Sequence, residues 1–245
     1  MAHVERYSLA LETSSACASV ALGCGDDLLE EVTLPPPRRH RVDLMPAVDD
    51  LCRRHRVTPA DLAELFISTG PGSFTGLRIG ITTAKALAAA LPVRLVAVPT
   101  LDVLACNAPS DRPAAPCLNL KRQSVFTAVY QRHGDAWRTV LEPALRTGDE
   151  LLAAAPRPLT VIGDPLPEPA HGWPAEVRLI TGDEARPRAA HLWRLGRLAA
   201  LAGRFVEPDA LLPLYARPPE AVELWQARHG ADSATPSTPG NAHHV

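Results

Sequence analysis

The sequence predicts an α/β protein of two lobes, each a mixed sheet covered by helices. Three observations carry that expectation. The order β-β-β-α-β-α recurs along the chain, and residues 65–91 read as strand, glycine turn and helix. In addition, 245 residues with 46% hydrophobic content suffice for two core-bearing lobes. The first lobe is placed at residues 1–105, the second at 106–217, and a tail at 218–245.

Tyr7 to Leu11, Ala18 to Leu22 and Leu28 to Leu34 are short β-prone runs, separated by turn chemistry such as Gly23-Cys24-Gly25-Asp26-Asp27. A helix follows at about 40–55, where Leu44, Met45, Val48, Leu51 and Cys52 make one apolar stripe. Pro46 lies inside that pattern, so the helix either kinks or begins there. Thr58-Pro59-Ala60-Asp61 offers an N-cap, a proline at N1 and an acid at N3, opening a short helix. Strand 65–69, helix 74–91 and strand 93–98 complete the first lobe. In the second, Ala115 to Leu120, Val125 to Gln131 and Trp137 to Leu141 supply three strands, with Gly134-Asp135 as a hairpin turn. A helix near 148–155, a strand at 158–162 and a helix at about 189–202 follow. This copy is rich in proline, as in Pro165 to Pro174, and reads as degenerate. Tandem halves of this order form the actin-like (ASKHA) architecture of two RNase-H-like lobes.

Composition narrows the functional classes. The 25 basic and 27 acidic residues leave no electrostatic footprint for RNA, so the chain is not expected to hold a tRNA by itself. Five cysteines (17, 24, 52, 106, 117) are odd in number and contain no C-x-x-C pair. That pattern points to reduced thiols and away from a disulfide framework or a zinc site. Glu5 and Glu12 interrupt any signal-peptide core, and no apolar run reaches the ~20 residues a bilayer span needs. A cytoplasmic protein without a membrane partner is expected. Beyond Pro218 the one apolar patch is Val222 to Trp225, and the composition of 229–245 predicts disorder.

The run from Ser68 to Leu91 is the most informative. Gly70, Pro71, Gly72 and Gly76 force a tight reversal that brings backbone N–H groups to a helix N-terminus, a geometry often used for phosphate. Yet Gly76 is followed by Leu77-Arg78 where a Walker loop needs Lys-Ser/Thr, and the spacing is one residue too long for G-x-G-x-x-G. Within the helix, Gly76, Gly80, Ala84 and Ala88 recur every four residues and form one small-residue ridge. Two interior glycines cost about 1 kcal/mol each relative to alanine, so something packs on this ridge at short range. Two candidates stand: the protein's own sheet, or a helix of another chain.

Gly70-Pro71-Gly72-Ser73-Phe74-Thr75-Gly76-Leu77-Arg78-Ile79-Gly80 closely resembles the most distinctive segment of the TsaB family. Leu9 to Ser14 with Ser19 to Leu22, His40 to Leu51, Val125 to Tyr130 and Leu212-Pro213-Leu214-Tyr215-Ala216-Arg217 agree in order. The likeness spans most of 7–217, dense over the first hundred residues and thin between about 131 and 205. TsaB is the non-catalytic partner of TsaD, a Gcp-like protein once labelled a glycoprotease, in bacterial synthesis of threonylcarbamoyladenosine at position 37 of tRNA. The resemblance implies a helical partner interface over 40–55 and 74–91, with Leu44, Val48, Leu51, Gly76, Gly80, Thr83, Ala84, Leu87 and Ala88 as its residues. It implies a TsaD-like catalytic subunit and a TsaE-like ATPase as partners, a homodimer through the same face, and contact with tRNA only through the complex.

Catalytic chemistry is missing where relatives carry it. Nucleotide-using members of the superfamily have a D-x-G-T-like first turn, and Glu12-Thr13-Ser14-Ser15 stands there. The TsaD-like His-x-x-x-His pair is reduced to His40 with Leu44 in the second place, and one imidazole cannot hold a metal. Asn119 replaces an acid before Lys121 and Arg122, no Asp-Gly-Gly loop follows, and no G-x-S-x-G elbow exists. No catalytic residue, metal or cofactor is therefore assigned. A vestigial phosphate turn remains at Glu12, Thr13, Gly70, Gly72 and Ser73. The competing expectation is a self-sufficient nucleotide-dependent kinase or carbamoyltransferase of the actin-like superfamily, with that turn as its active site.

Overall fold

The computed structural model describes residues 6–34, 40–119, 124–133 and 136–216, without the side chains of 40–42 and 136. Lys121, Arg122, the Gly134-Asp135 turn, the His40 side chain and the tail at 218–245 lie outside the described residues.

The first sheet holds β1 (Tyr7–Glu12), β2 (Ser19–Cys24), β3 (Asp27–Thr33), β4 (Leu62–Ser68) and β5 (Arg94–Val98) in the order β3-β2-β1-β4-β5. The hairpin pairs β1–β2 and β2–β3 are antiparallel, while β1–β4 and β4–β5 are parallel. The second sheet repeats this plan with β6 (Ala114–Asn119), β7 (Ser124–His133), β8 (Ala136–Thr147), β9 (Leu159–Ile162) and β10 (Val177–Ile180), ordered β10-β9-β6-β7-β8. Its parallel and antiparallel pairs fall in the same places. The recurring pattern in the sequence is thus a repeat of topology.

Helices α1 (His40–Arg54) and α2 (Phe74–Ala90) cover one face of the first sheet. Strand alternation sends Leu9, Leu11, Leu65 and Ile67 toward them and Ala10, Ala21 and Phe66 to the opposite face. That opposite face is covered by α5 (Ala189–Leu201), a helix from the second half of the chain. The approach is close: a β-carbon at Gly196 would overlap the Phe66 ring, and one at Gly23 the Trp193 indole. Trp193 Nε1 donates to Ser8 Oγ at 2.8 Å, so its buried N–H is satisfied. Glu31 accepts from Ala190 N and pairs with Arg188, placing an acid at the start of α5 where the helix dipole favours it.

The exchange runs both ways. The short α3 (Thr100–Ala105), in the first half of the chain, packs on β6 and β7 of the second sheet, while α4 (Gly148–Ala154) covers its other face. A cut between residues 105 and 106 divides the sequence but not the packing. Residues 163–176 join β9 to β10 without a helix, in contrast to α2 between β4 and β5. Helix α1 runs through Pro46 without interruption.

Candidate functional site

The site is the turn after β4, the start of α2 and the chain segments that touch them. Gly70 has φ +107°, a left-handed value that favours glycine, and Leu214 N donates to Thr69 O at 2.7 Å across it. The segment around Leu214 therefore straps the turn. Ser73 caps α2, its Oγ accepting from Gly76 N at 3.2 Å, and Ser73 N donates to Ser14 O at 2.7 Å. Two of the donors at this helix start, Gly76 N and Ser73 N, are thus engaged by the cap and by the β1–β2 turn. Gly72 and Ser73 lie against Ser14, and Gly76 against Thr13, whereas Gly70 meets Leu214 and Leu77 and accepts from Thr100 N, and Glu12 bonds Ser14.

The small ridge has the same cause. A β-carbon at Gly72 would overlap the Ser14 carbonyl, one at Gly76 the Thr13 carbonyl, and one at Gly80 the Thr13 hydroxyl. Gly76, Gly80 and Ala84 are buried against the protein's own sheet, and Leu44, Val48 and Leu51 are core residues beneath α1. These six are correctly described as internal packing, not as a surface open to a partner. The physical reason is that strand β1 and its turn pass directly under α2. Thr83 is half-exposed, and Leu87 and Ala88 are partly buried along the helix edge.

The surface these helices do present was missed by spacing arguments. On α2 it is the stripe Thr75, Arg78, Thr82, Ala86 and Ala89; on α1 it includes Met45, which is 43% exposed. At its end Phe74 and Tyr215 stack at 5.0 Å, Arg78 lies 4.0 Å over the Phe74 ring, and Arg78 Nε donates to Tyr215 Oη at 3.2 Å. Met45, included in the apolar stripe expected from the sequence, instead faces outward beside that stripe, and the signal available in sequence was Phe74, a large apolar residue at the first helical position of α2.

Glu12 is fully buried at the end of β1. Its Oε1 accepts from Ser14 N at 2.7 Å and Ser14 Oγ at 2.5 Å. Burial pushes its carboxyl above the usual glutamate range, and the Ser14 bonds offset part of that shift. Its counterpart at the end of β6, Asn119, is exposed and donates to Pro165 O at 3.1 Å, pinning the proline-rich connection. His55 pairs with Glu30 at 2.8 Å. All five cysteines are free, and the described residues hold no group of three or more metal-ligating side chains. No helix among them is long and apolar enough to cross a membrane.

Twin sheets of this order, with exchanged helices and a strapped glycine turn, define a two-lobed α/β protein of the actin-like architecture. The family model "TsaD: tRNA N6-adenosine threonylcarbamoyltransferase" matches residues 29–164. The chain is 32% identical over 232 residues, 89% of its length and 96% of the relative's, to the tRNA threonylcarbamoyladenosine biosynthesis protein TsaB of Bacillus subtilis (strain 168). The protein of the same name from Escherichia coli (strain K12) is 32% identical over 146 residues, 56% of this chain and 63% of that one. Among solved structures, YeaZ from Pseudomonas aeruginosa superposes with a TM-score of 0.71 at 26% identity, covering 86% of this chain and 99% of that one. The chain belongs to the TsaB family.

Proposed function

We propose that this protein is the non-catalytic scaffold subunit of a tRNA threonylcarbamoyladenosine-forming complex, binding and orienting a TsaD-like catalytic subunit in the cytoplasm. The observation that carries the reading is a pairing of two facts. The chain aligns with a TsaB relative over nearly its whole length, while the turn at the start of α2 is filled by the Thr13–Ser14 backbone and strapped by Leu214. Leu44 in the core and Asn119 on a carbonyl replace residues that metal or acid chemistry would need. The partner surface is the outward face of α1 and α2, from Met45 to Thr82, Thr83 and Ala86, with Leu87 and Ala88 at its margin. A TsaE-like ATPase docks near that face, tRNA is held through the assembled complex, and a homodimer through the same face is the unpartnered form.

Reconstitution tests this. Threonylcarbamoyl transfer to tRNA by TsaD-like and TsaE-like subunits should require this chain, which alone should neither transfer nor bind Mg-ATP tightly. Ala86→Arg places a charge on the exposed stripe, so it should leave the melt unchanged within about 0.5 kcal/mol and abolish co-purification with the TsaD-like subunit. Transfer by this chain alone, or full turnover in its absence, overturns the proposal.

A further inference from the structure

A row of leucines on α5 is left partly bare. Leu195, Leu198 and Leu201 follow one another at three-residue steps, and Leu198 and Leu201 are 51% and 62% exposed. Two cavities adjoin along this row, about 840 Å³ and about 460 Å³, and both are lined by Leu195, Leu198 and Trp137 of β8. Together they form an apolar groove between α5 and the second sheet. Contiguous exposed apolar surface marks interaction sites. Charge differs along the groove. In the larger cavity Arg204 and His133 are balanced by Asp102 and Glu142, so charge there selects nothing. The smaller is cationic, with Arg132, Arg194 and Arg197 against Asp26, which pairs with Arg197. Arg194 is exposed and sits one turn before Leu198 on the same helix face. The groove fits a chain that carries large apolar side chains with acids beside them.

One such chain starts at its edge. Leu214, 48% exposed, lines the larger cavity, and the described residues end two positions later, at Ala216. The sequence continues Arg217-Pro218-Pro219-Glu220-Ala221-Val222-Glu223-Leu224-Trp225, which holds the one apolar patch past Pro218, with acids at 220 and 223. Ten residues separate Leu214 from Leu224. An extended chain of that length reaches ~33 Å, whereas Leu195 to Leu201 spans only ~9 Å of helix. A segment tethered this closely has an effective concentration in the ~mM range, so weak contacts suffice to seat it.

We propose that segment 220–225 of this chain seats in the groove, with Leu224 and Trp225 on Leu198 and Leu201, and with Glu220 and Glu223 toward Arg194 and Arg132. Hydrogen exchange on the full chain, read by mass spectrometry, tests it. Amides of 221–226 should exchange at least about tenfold more slowly than in a free peptide of the same sequence. Leu198→Asp and Leu201→Asp change exposed positions, so each should leave the melt unchanged and restore peptide-like exchange over 221–226. Trp225→Ala makes the same break from the segment's side, independent of any change in α5. Arg194→Glu should speed exchange over 221–226 severalfold, and an unchanged rate there overturns the charge pairing. Exchange at the peptide rate in the parent overturns the proposal. It also falls if protection survives both leucine variants and Trp225→Ala, which would seat the segment elsewhere. Protection that grows with protein concentration overturns it too, because the groove would then belong to the tail of a second copy.

Discussion

The two sheets share one strand order, yet they cross from their fourth strand to their fifth in different ways. Between β4 and β5 the chain makes a glycine turn and then the 17-residue α2. Between β9 and β10 it makes residues 163–176, punctuated by Pro165, Pro167, Pro169 and Pro174, with no helix. One detail is kept in both. Gly72 lets the Ser14 carbonyl approach, and Gly163 lets the Cys117 carbonyl approach, so each first strand lies against the connection that follows the fourth. Strand pairing and that close approach therefore suffice to hold the sheet order, and a helix is dispensable to it. In the first lobe α2 covers the sheet with Leu77, Ile81 and Ala84, and its outward face is what the connection in the second lobe has no counterpart for.

The strongest test of that comparison is Gly80→Leu. A side chain there meets the Thr13 hydroxyl and the Ile67 methyl, so the core is overpacked, at a cost of about 1–3 kcal/mol. The thermal midpoint should fall by about 2–12 °C for a protein of this size, while whatever remains folded still assembles. An unchanged midpoint with assembly lost would mean that a partner covers the inner face of α2, and the comparison would collapse. Gly163→Ala sharpens it from the other lobe. Its new methyl would sit 2.5 Å from the Cys117 carbonyl, and a loss of about 1 kcal/mol in a denaturant titration is expected. A neutral result would show that the second lobe tolerates what the first does not.

The smallest effect concerns the strand ends, where Glu12 is buried and Asn119 is exposed. Burial holds the Glu12 proton to higher pH in the folded protein than in the unfolded chain. Any stability tied to that proton is complete below the ordinary glutamate range and declines as pH rises through the elevated folded value. Glu12→Gln keeps an acceptor for Ser14 and removes the charge. It should melt higher than the parent at neutral pH, with the advantage fading toward about pH 4. A pH-independent difference would show that the carboxyl ionises freely in the fold.

Much of the architecture was legible because strands and long helices carry their own periodicity. The stripe Leu44, Val48, Leu51 and the alternation Leu9, Ala10, Leu11 each declare a buried face. Helix α3 was missed because six residues after Pro99 are too few to show a period, and β10 because four residues after a proline-rich stretch show no alternation. The candidate site was less legible. Spacing placed Gly76, Gly80 and Ala84 on one ridge but could not say which way it faced. That was decided by Thr13 and Ser14, about sixty residues earlier in the chain. The Arg78–Tyr215 contact joins residues 137 positions apart, beyond the reach of any local pattern.

The crossing of α3 and α5 between halves has a consequence for how the molecule comes apart. A fragment ending at residue 105 would leave Ala10, Ala21, Phe66 and Val96 without the Leu192 and Trp193 that cover them. A fragment beginning at 106 would lose Leu101, Leu104 and Ala105 from beneath β6 and β7. Neither half is therefore expected to fold as a separate module, and a single calorimetric transition is the expected outcome. A body latched in this way resists hinge-like opening to the extent that α3 and α5 stay seated on the opposite sheets.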